Sequence, residues 1–125
     1  CSSADVAAKA LNDAFATYKL DSLGQKAGMI SYMAFESGGF KWNTNQFPGR
    51  PGQGTKCMLM FPHLYNFAKS FPELQGFVAQ NSPGGQLVVV NYDNADSMFS
   101  DSAKNAIRAL ALGDAYTFKG GPWYL

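Results

Sequence analysis

The chain has 125 residues, of which 46% are hydrophobic and 15% charged, and its net charge is +1. This length supports one compact domain with a sizeable core. The near-neutral charge excludes a broad electrostatic field toward nucleic acid or an anionic membrane. No run of about 18 apolar residues occurs, so no membrane span is predicted. Two cysteines and one histidine exclude an ordinary zinc site built by this chain alone, and we expect no cofactor.

The cysteines are Cys1 and Cys57. If they pair, the bridge stabilises the chain by roughly 4 kcal/mol on loop-closure grounds. Low charge, many aromatic residues and a possible disulfide favour a secreted, extracellular protein. The apolar end at 123–125 indicates either docking into the core or a polypeptide that was cut and continues in a second fragment. We therefore expect a single domain over 1–125, either as a whole chain or as the N-terminal part of a longer or processed chain.

The first half of the chain predicts two helices and a long loop. The first helix covers 3–20, where apolar residues recur at helical spacing. The second covers 23–37, with Asp21-Ser22 as its cap and Gly38-Gly39 closing it. Residues 40–57 form an irregular stretch rich in Asn, Pro and Gly. Loops this long in a small domain are usually functional or disordered.

The second half predicts short elements. The run at 58–61 is either a strand or the start of the next helix, and periodicity cannot decide whether 87–90, rich in valine, is a buried strand or helical. The remaining predictions are helices at 62–69, 72–80 and 102–112 and a turn at 81–85. The overall pattern is mainly helical.

Glu36 is the candidate catalytic residue. Read as a helix, the second segment places Met29, Tyr32, Met33 and Glu36 on one inward stripe. A buried carboxylate costs free energy unless it is paired, hydrogen-bonded or protonated. The other glutamate is Glu73, so one of only two stands in an apolar setting before a Gly-Gly break. Such a setting raises a carboxyl pKa and is typical of a general acid. The alternative is a carboxylate at a frayed helix end, paired with a nearby Lys or Arg.

A family resemblance begins at this glutamate. Residues 36–38 read Glu-Ser-Gly, a glycine-rich loop follows, and 54–62 read Gly-Thr-Lys-Cys-Met-Leu-Met-Phe-Pro. This arrangement, over residues 23–65, resembles the goose-type lysozyme and lytic transglycosylase superfamily. There a helix ends in Glu-Ser-Gly, and a hairpin carries Gly-Leu-Met-Gln with a proline a few residues on. The resemblance implies an α+β lysozyme-like fold, mainly α, with a short β-hairpin or strand after the Glu-bearing helix. It also implies that Glu36 is the general acid and that loop and hairpin line a sugar cleft.

The sequence departs from the family in several respects. Leu59 stands where the family glutamine would fall, and the connection before it is several residues longer than usual. No clear match to the family's later tyrosine-bearing motifs occurs, with Tyr92 and Tyr116 as the candidates for them. No second carboxylate lies between Glu36 and Glu73, so a two-carboxylate hydrolase requires Asp93, Asp96 or Asp101 to fold back across the cleft. The family members are similar in relying chiefly on one glutamate, so these departures leave catalysis open.

The prediction is a secreted enzyme that cleaves an N-acetylhexosamine polysaccharide such as peptidoglycan or chitin. Glu36 would protonate the glycosidic oxygen, and the substrate's acetamido group or a water would complete the reaction. The candidate substrate contacts are Ser37, Trp42, Gln53, Thr55 and Tyr92. The alternative is a non-catalytic glycan-binding or effector protein, of a secreted fungal kind, on a lysozyme-like frame. His63 is interpreted as a hydrogen-bonded structural residue.

Overall fold

The computed structural model describes residues 2–46 and 49–125. Over these two ranges the chain forms eight α-helices and one 3₁₀ turn, with no β-strand. The helices are α1 Ala4–Thr17, α2 Leu23–Ser37, α3 Phe61–Lys69, α4 Pro72–Gln80, α5 Ala95–Met98, α6 Asp101–Leu110, α7 Asp114–Thr117 and α8 Gly120–Tyr124, and the 3₁₀ turn is Pro83–Gly85.

The central element of the core is α3. Its residues Leu64, Tyr65, Phe67 and Ala68 have no exposed surface, and the helix is contacted by α4, α6 and α8. Each large apolar side chain buried in this way stabilises the fold by about 1.5–3 kcal/mol relative to exposure. The Tyr65 hydroxyl shares a 2.8 Å hydrogen bond with the hydroxyl of Ser82, so its polar atom is satisfied inside the core.

The helix α2 begins and ends where the sequence predicts. The Ser22 hydroxyl accepts a hydrogen bond from the Gln25 amide, and the Gln25 side chain accepts one from the Ser22 amide, which is a capping box. At the other end Gly38 adopts the left-handed conformation, with φ 62°. Met29 and Met33 are buried as predicted, whereas Tyr32 is 47% exposed. The predicted inward stripe is therefore correct for the methionines and wrong for the tyrosine.

The predicted α+β lysozyme-like fold is wrong, because the described residues contain no hairpin or strand after α2. The segment between α2 and α3 makes only isolated antiparallel bridges, between Thr44 and Gly54 and between Gly54 and Leu59. Thr55 and Met58 have φ values of 70° and 50°, which turn the backbone away from an extended ladder. The protein is all-helical across the described ranges.

Neither alternative for 87–90, a buried strand or a helix, is formed. Residues 87–90 lack regular structure, and their polar backbone groups bond to side chains instead. The Val88 amide donates to the Tyr65 hydroxyl at 3.1 Å, and the Val89 carbonyl accepts from Asn94 Nδ2 at 3.0 Å. A run of valines favours an extended chain, but a strand also needs a neighbouring strand with which to pair.

Candidate functional site

A groove opens beside the last turn of α2. Its volume is about 240 Å³, and we call it the Glu36 groove. One carboxylate, one indole, three side-chain amides, a hydroxyl and a thioether line it: Glu36, Trp42, Asn45, Gln46, Gln53, Thr44 and Met58. Glu36 is partly exposed there. This combination of an acid, an aromatic ring and amides can bind a polyhydroxylated ligand.

The end of α2 fixes Trp42 next to Glu36. The Ser37 hydroxyl donates to the Met33 carbonyl at 2.6 Å and accepts from the Phe40 amide at 2.9 Å. The Trp42 amide then donates to the Ser37 carbonyl at 2.9 Å, which returns the chain toward the helix. A Cβ at Gly38 would lie 3.1 Å from indole Cδ1, so the indole packs against a position that favours glycine.

The indole keeps 41% of its surface exposed in the groove. The Lys41 ammonium lies 4.6 Å from the centroid of the ring, within the range of a cation–π contact. An exposed indole of this kind offers an apolar face for stacking on a sugar ring.

The amide side of the groove is held by its own hydrogen bonds. Asn45 Nδ2 donates to Gln53 Oε1 at 2.7 Å, and Gln53 Nε2 donates to the Met58 carbonyl at 3.0 Å. Asn45 Oδ1 accepts from the Gly49 amide at 2.7 Å. A primary amide has two N–H groups and two lone pairs, so Gln53 retains hydrogen-bonding capacity toward a ligand.

A buried lysine lies beneath this segment. Lys56 is 1% exposed, and its ammonium donates to the Phe40 carbonyl at 2.7 Å. Burial lowers the pKa of Lys56 from its ordinary 10.5, and the negative charge of Asp114 opposes that shift. The bond ties residues 55–57 to the turn that follows α2.

Cys57 lies next to this lysine and is a free thiol with 2% exposure. Its Sγ shares a 3.2 Å hydrogen bond with the hydroxyl of Thr55, which has no exposed surface. Burial raises the pKa of Cys57 from 9.0 to about 11, and the hydrogen bond to Thr55 acts in the opposite direction. The predicted disulfide partner, Cys1, lies outside the described residues.

A second cavity, of about 230 Å³, lies on the other side of Gln53, and we call it the Arg50 cavity. Its polar and aromatic lining consists of Arg50, Gln53, Phe61, Tyr92, Asp96 and Lys104. Tyr92 is exposed, and its ring centroid lies 5.5 Å from that of His63. The His63 ring also contacts that of Tyr124, at 4.9 Å.

The structure therefore separates the predicted site residues. Glu36, Trp42 and Gln53 share the Glu36 groove, and Tyr92 lies in the Arg50 cavity. Ser37 and Thr55 have no exposed surface, and their hydroxyls bond to neighbouring protein atoms. Both residues therefore stabilise the backbone around the groove and are not available to contact a ligand.

Sequence reasoning missed other lining residues. Asn45 belongs to the Asn- and Gly-rich stretch that signalled a groove, so composition pointed to it without singling it out. Lys104 comes from a distant part of the chain, and no local motif links it to Arg50.

The described ranges contain no candidate metal site and no candidate membrane-spanning helix. No group of three or more His, Cys, Asp or Glu side chains in residues 2–46 and 49–125 could hold a metal ion. In the same ranges no helix has the length and apolarity needed to cross a membrane.

Fold and site together define a small helical domain with a carboxylate-bearing groove between α2 and the segment before α3. Over 120 residues the chain is 34% identical to a protein of Fusarium oxysporum (strain Fo5176) named bifunctional dioxygenase (DOX)-epoxy alcohol synthase (EAS). The match covers 95% of this chain but only 8% of that protein. No family model and no solved structure matches the chain.

Proposed function

We propose that this domain cleaves an N-acetylhexosamine polysaccharide, such as peptidoglycan or chitin, with Glu36 as the general acid. The observation that carries the proposal is that one groove contains the carboxylate of Glu36, the exposed indole of Trp42 and the amide of Gln53. Both polymers lie outside the cell, so the proposal includes export of the protein.

Each of these groups has a role in that reaction. The indole would stack on the apolar face of a sugar ring, and the amides would bind its hydroxyl or acetamido groups. Glu36 would donate its proton to the glycosidic oxygen as the bond to the leaving sugar breaks. The acetamido oxygen of the substrate or a water molecule would then attack the anomeric carbon.

Backbone strain at the groove supports this assignment. Four residues other than glycine have positive φ in the described ranges, and Phe40, Thr55 and Met58 belong to the segment that forms or underlies the groove. A β-branched residue such as Thr55 seldom adopts this conformation. Such strain clusters at functional sites, where surrounding structure holds it in place.

A second candidate is a glycan-binding domain without catalysis. Of the described residues that line the groove, Glu36 is the single carboxylate. Most glycosidases use two carboxylates, one as acid and one as base or nucleophile. A lone carboxylate can equally bind sugar hydroxyls without cleaving the bond.

The Fusarium relative does not decide between these candidates. The dioxygenase and epoxy alcohol synthase activities in its name belong to a protein of which the match spans 8%. We therefore propose neither activity for this segment.

The test compares wild type with Glu36→Gln on peptidoglycan and chitin, with products read by mass spectrometry. We expect the variant to lose at least about 100-fold in rate, the lower range for a general acid, while its melting temperature is kept. Glu73→Gln is the matched control, because it makes the same chemical change at a glutamate that does not line the groove. Glu73 lies on α4 and accepts a hydrogen bond from Tyr116.

The outcomes separate the two candidates. Product formation that is equal in wild type and Glu36→Gln would overturn the role of Glu36. If neither protein forms products but both bind one polymer, and Trp42→Ala weakens that binding by about tenfold, the glycan-binding candidate replaces the enzyme.

A further inference from the structure

The Arg50 cavity carries an excess of positive charge. Arg50 and Lys104 line it as cations, and Asp96 is its carboxylate. The ion pairs within the described ranges are Lys104–Asp96 and Lys9–Asp13, so neither uses Arg50. Among the described residues the Arg50 guanidinium contacts the sulfur of Met60, at 3.6 Å. An exposed guanidinium beside a cavity is thus free to bind an anion.

The Lys104–Asp96 pair does not cancel this charge. Lys104 is buried and its ammonium donates to Asp96, whose side chain is 91% exposed. The ammonium also lies 5.8 Å from the centroid of the Phe61 ring. The charges of Lys104 and Asp96 offset each other, whereas the charge of Arg50 has no partner ion within the described ranges.

The backbone that presents Arg50 is held firmly. Arg108 Nη1 donates to the Arg50 carbonyl at 3.5 Å and to the Gln53 carbonyl at 3.2 Å. The Gly52 amide donates to Asn105 Oδ1 at 3.0 Å. Gly52 has φ 76°, and a Cβ there would lie 2.5 Å from Phe61 Cδ2, so the backbone approaches α3 as only glycine allows.

The Arg50 cavity and the Glu36 groove are neighbours. Gln53 lines both of them. Met58 lines the groove and Met60 lines the cavity, and the Cα atoms of residues two apart are at most about 7 Å from each other. This short separation is what a polymer bound at Glu36 would need in order to place a neighbouring unit in the Arg50 cavity.

We propose that the Arg50 cavity binds the anionic group of an acidic saccharide unit adjacent to the unit held at Glu36. This inference rests on the proposed function and deepens it, since among N-acetylhexosamine polymers it favours those that carry singly charged oxyanions over neutral chitin. The guanidinium fork would bind the two oxygens of a carboxylate or those of a sulfate ester. The ring of Tyr92 would pack against the same sugar.

The test measures binding by calorimetry in a Glu36→Gln background, so that no polymer is consumed. Three N-acetylhexosamine polymers serve as probes: hyaluronan, carboxyl-reduced hyaluronan, and carboxyl-reduced chondroitin sulfate. The first carries carboxylates, the second is neutral and the third carries sulfate only. The test variant is Arg50→Gln, and Lys9→Gln is its charge-matched control, because Lys9 lies on α1 and pairs with Asp13.

We expect Arg50→Gln to weaken binding of an anionic polymer by about 10- to 100-fold, the value of a hydrogen bond to a charged group. Binding of the neutral polymer should change less than about twofold, and Lys9→Gln should leave all three affinities within the same limit. An effect on hyaluronan assigns the group as carboxylate, and an effect on the sulfated polymer assigns it as sulfate.

Equal losses in Arg50→Gln and Lys9→Gln would overturn the inference, because they would show only a net-charge effect. Equal binding of neutral and anionic polymers, or binding of none of them, would also overturn it. Failure of the proposed enzymatic function has a different signature: Arg50-dependent binding would persist although wild type releases no products from any polymer.

Discussion

Replacing Cys57 with alanine is expected to change how the stability of the fold responds to alkaline pH. Burial raises the pKa of this thiol from 9.0 to about 11 in the folded protein. Between these values the unfolded chain loses the thiol proton while the folded chain keeps it. The free energy of unfolding therefore falls as pH rises. Two pKa units at 1.36 kcal/mol each amount to about 3 kcal/mol, present below pH 9 and lost as pH passes about 11.

The assay is urea unfolding followed by the fluorescence of Trp42 and Trp123 at pH 7.5, 9, 10 and 11. Both proteins carry Cys1→Ser, which leaves Cys57 as the sole thiol, and one also carries Cys57→Ala. At pH 7.5 we expect the alanine variant to be less stable by about 1 kcal/mol, because a buried sulfur is lost. At pH 11, where the folded thiol is half ionised, the wild type has lost about 2.3 kcal/mol, so the alanine variant should be more stable by about 1.3 kcal/mol. Tyr18, Tyr116 and Lys56 also have shifted pKa values, and because the charge of Cys57 acts on none of them they contribute equally to both proteins. Tyr32 is the exception, because the charge of Cys57 raises its pKa, so its titration belongs to the measured difference.

A difference in unfolding free energy that stays constant from pH 7.5 to 11 would refute this reasoning. So would rapid reaction of the folded protein with a thiol reagent at pH 8, since a side chain with 2% exposure should react only through opening of the structure.

Four other substitutions test separate features by chemical denaturation. Gly54→Ala should destabilise by about 2 kcal/mol, because its Cβ would lie 2.6 Å from a backbone oxygen, that of Asn43. Gly76→Ala should stabilise by about 1 kcal/mol, because it lies within α4 with open space around it. Ser100→Ala should cost about 1 kcal/mol, because its hydroxyl caps α6. In the wild type the free energy of unfolding should rise with pH below 10.5, and Lys56→Met should remove that rise. Burial lowers the pKa of Lys56, so the unfolded chain binds more protons in that window. A wild-type gain relative to the variant between pH 8 and 10.5 checks this sign.

Local signals predicted the parts of the fold that local interactions determine. Ser22 and Gln25 form a capping box, and Gly38 ends α2 in the left-handed conformation. These elements depend on residues within one or two turns of each other. The pairing of Glu36 with Trp42 follows from the same helix end.

The misplaced and missing elements depend on distant contacts. The valine-rich run at 87–90 has strand propensity but no neighbouring strand in the described ranges. The helix Gly120–Tyr124 begins with two glycines and a proline, which disfavour a helix on propensity alone. The helix packs so closely against α2 that a Cβ at Gly121 would lie 2.6 Å from the sulfur of Met29. Packing against α2 therefore decides its structure. The convergence of Arg50, Tyr92 and Lys104 on one cavity depends on distant contacts in the same way.

The segment between α2 and α3 is more constrained than a simple connection requires. Phe40, Thr55 and Met58 hold positive φ, and each such residue costs about 1–3 kcal/mol. Burying the ammonium of Lys56 adds a desolvation cost, which is offset when the ammonium donates to the Phe40 carbonyl. The Lys56 amide also donates to the Thr117 carbonyl at 3.0 Å.

These costs have one structural result in common. The bond from Lys56 fixes the turn at Phe40, that turn positions Trp42, and the indole then keeps a set position relative to Glu36. A loop that only joined two helices would gain nothing from this arrangement. A site in which an acid and a stacking ring must meet the same sugar gains a preorganised geometry, which lowers the entropy lost on binding.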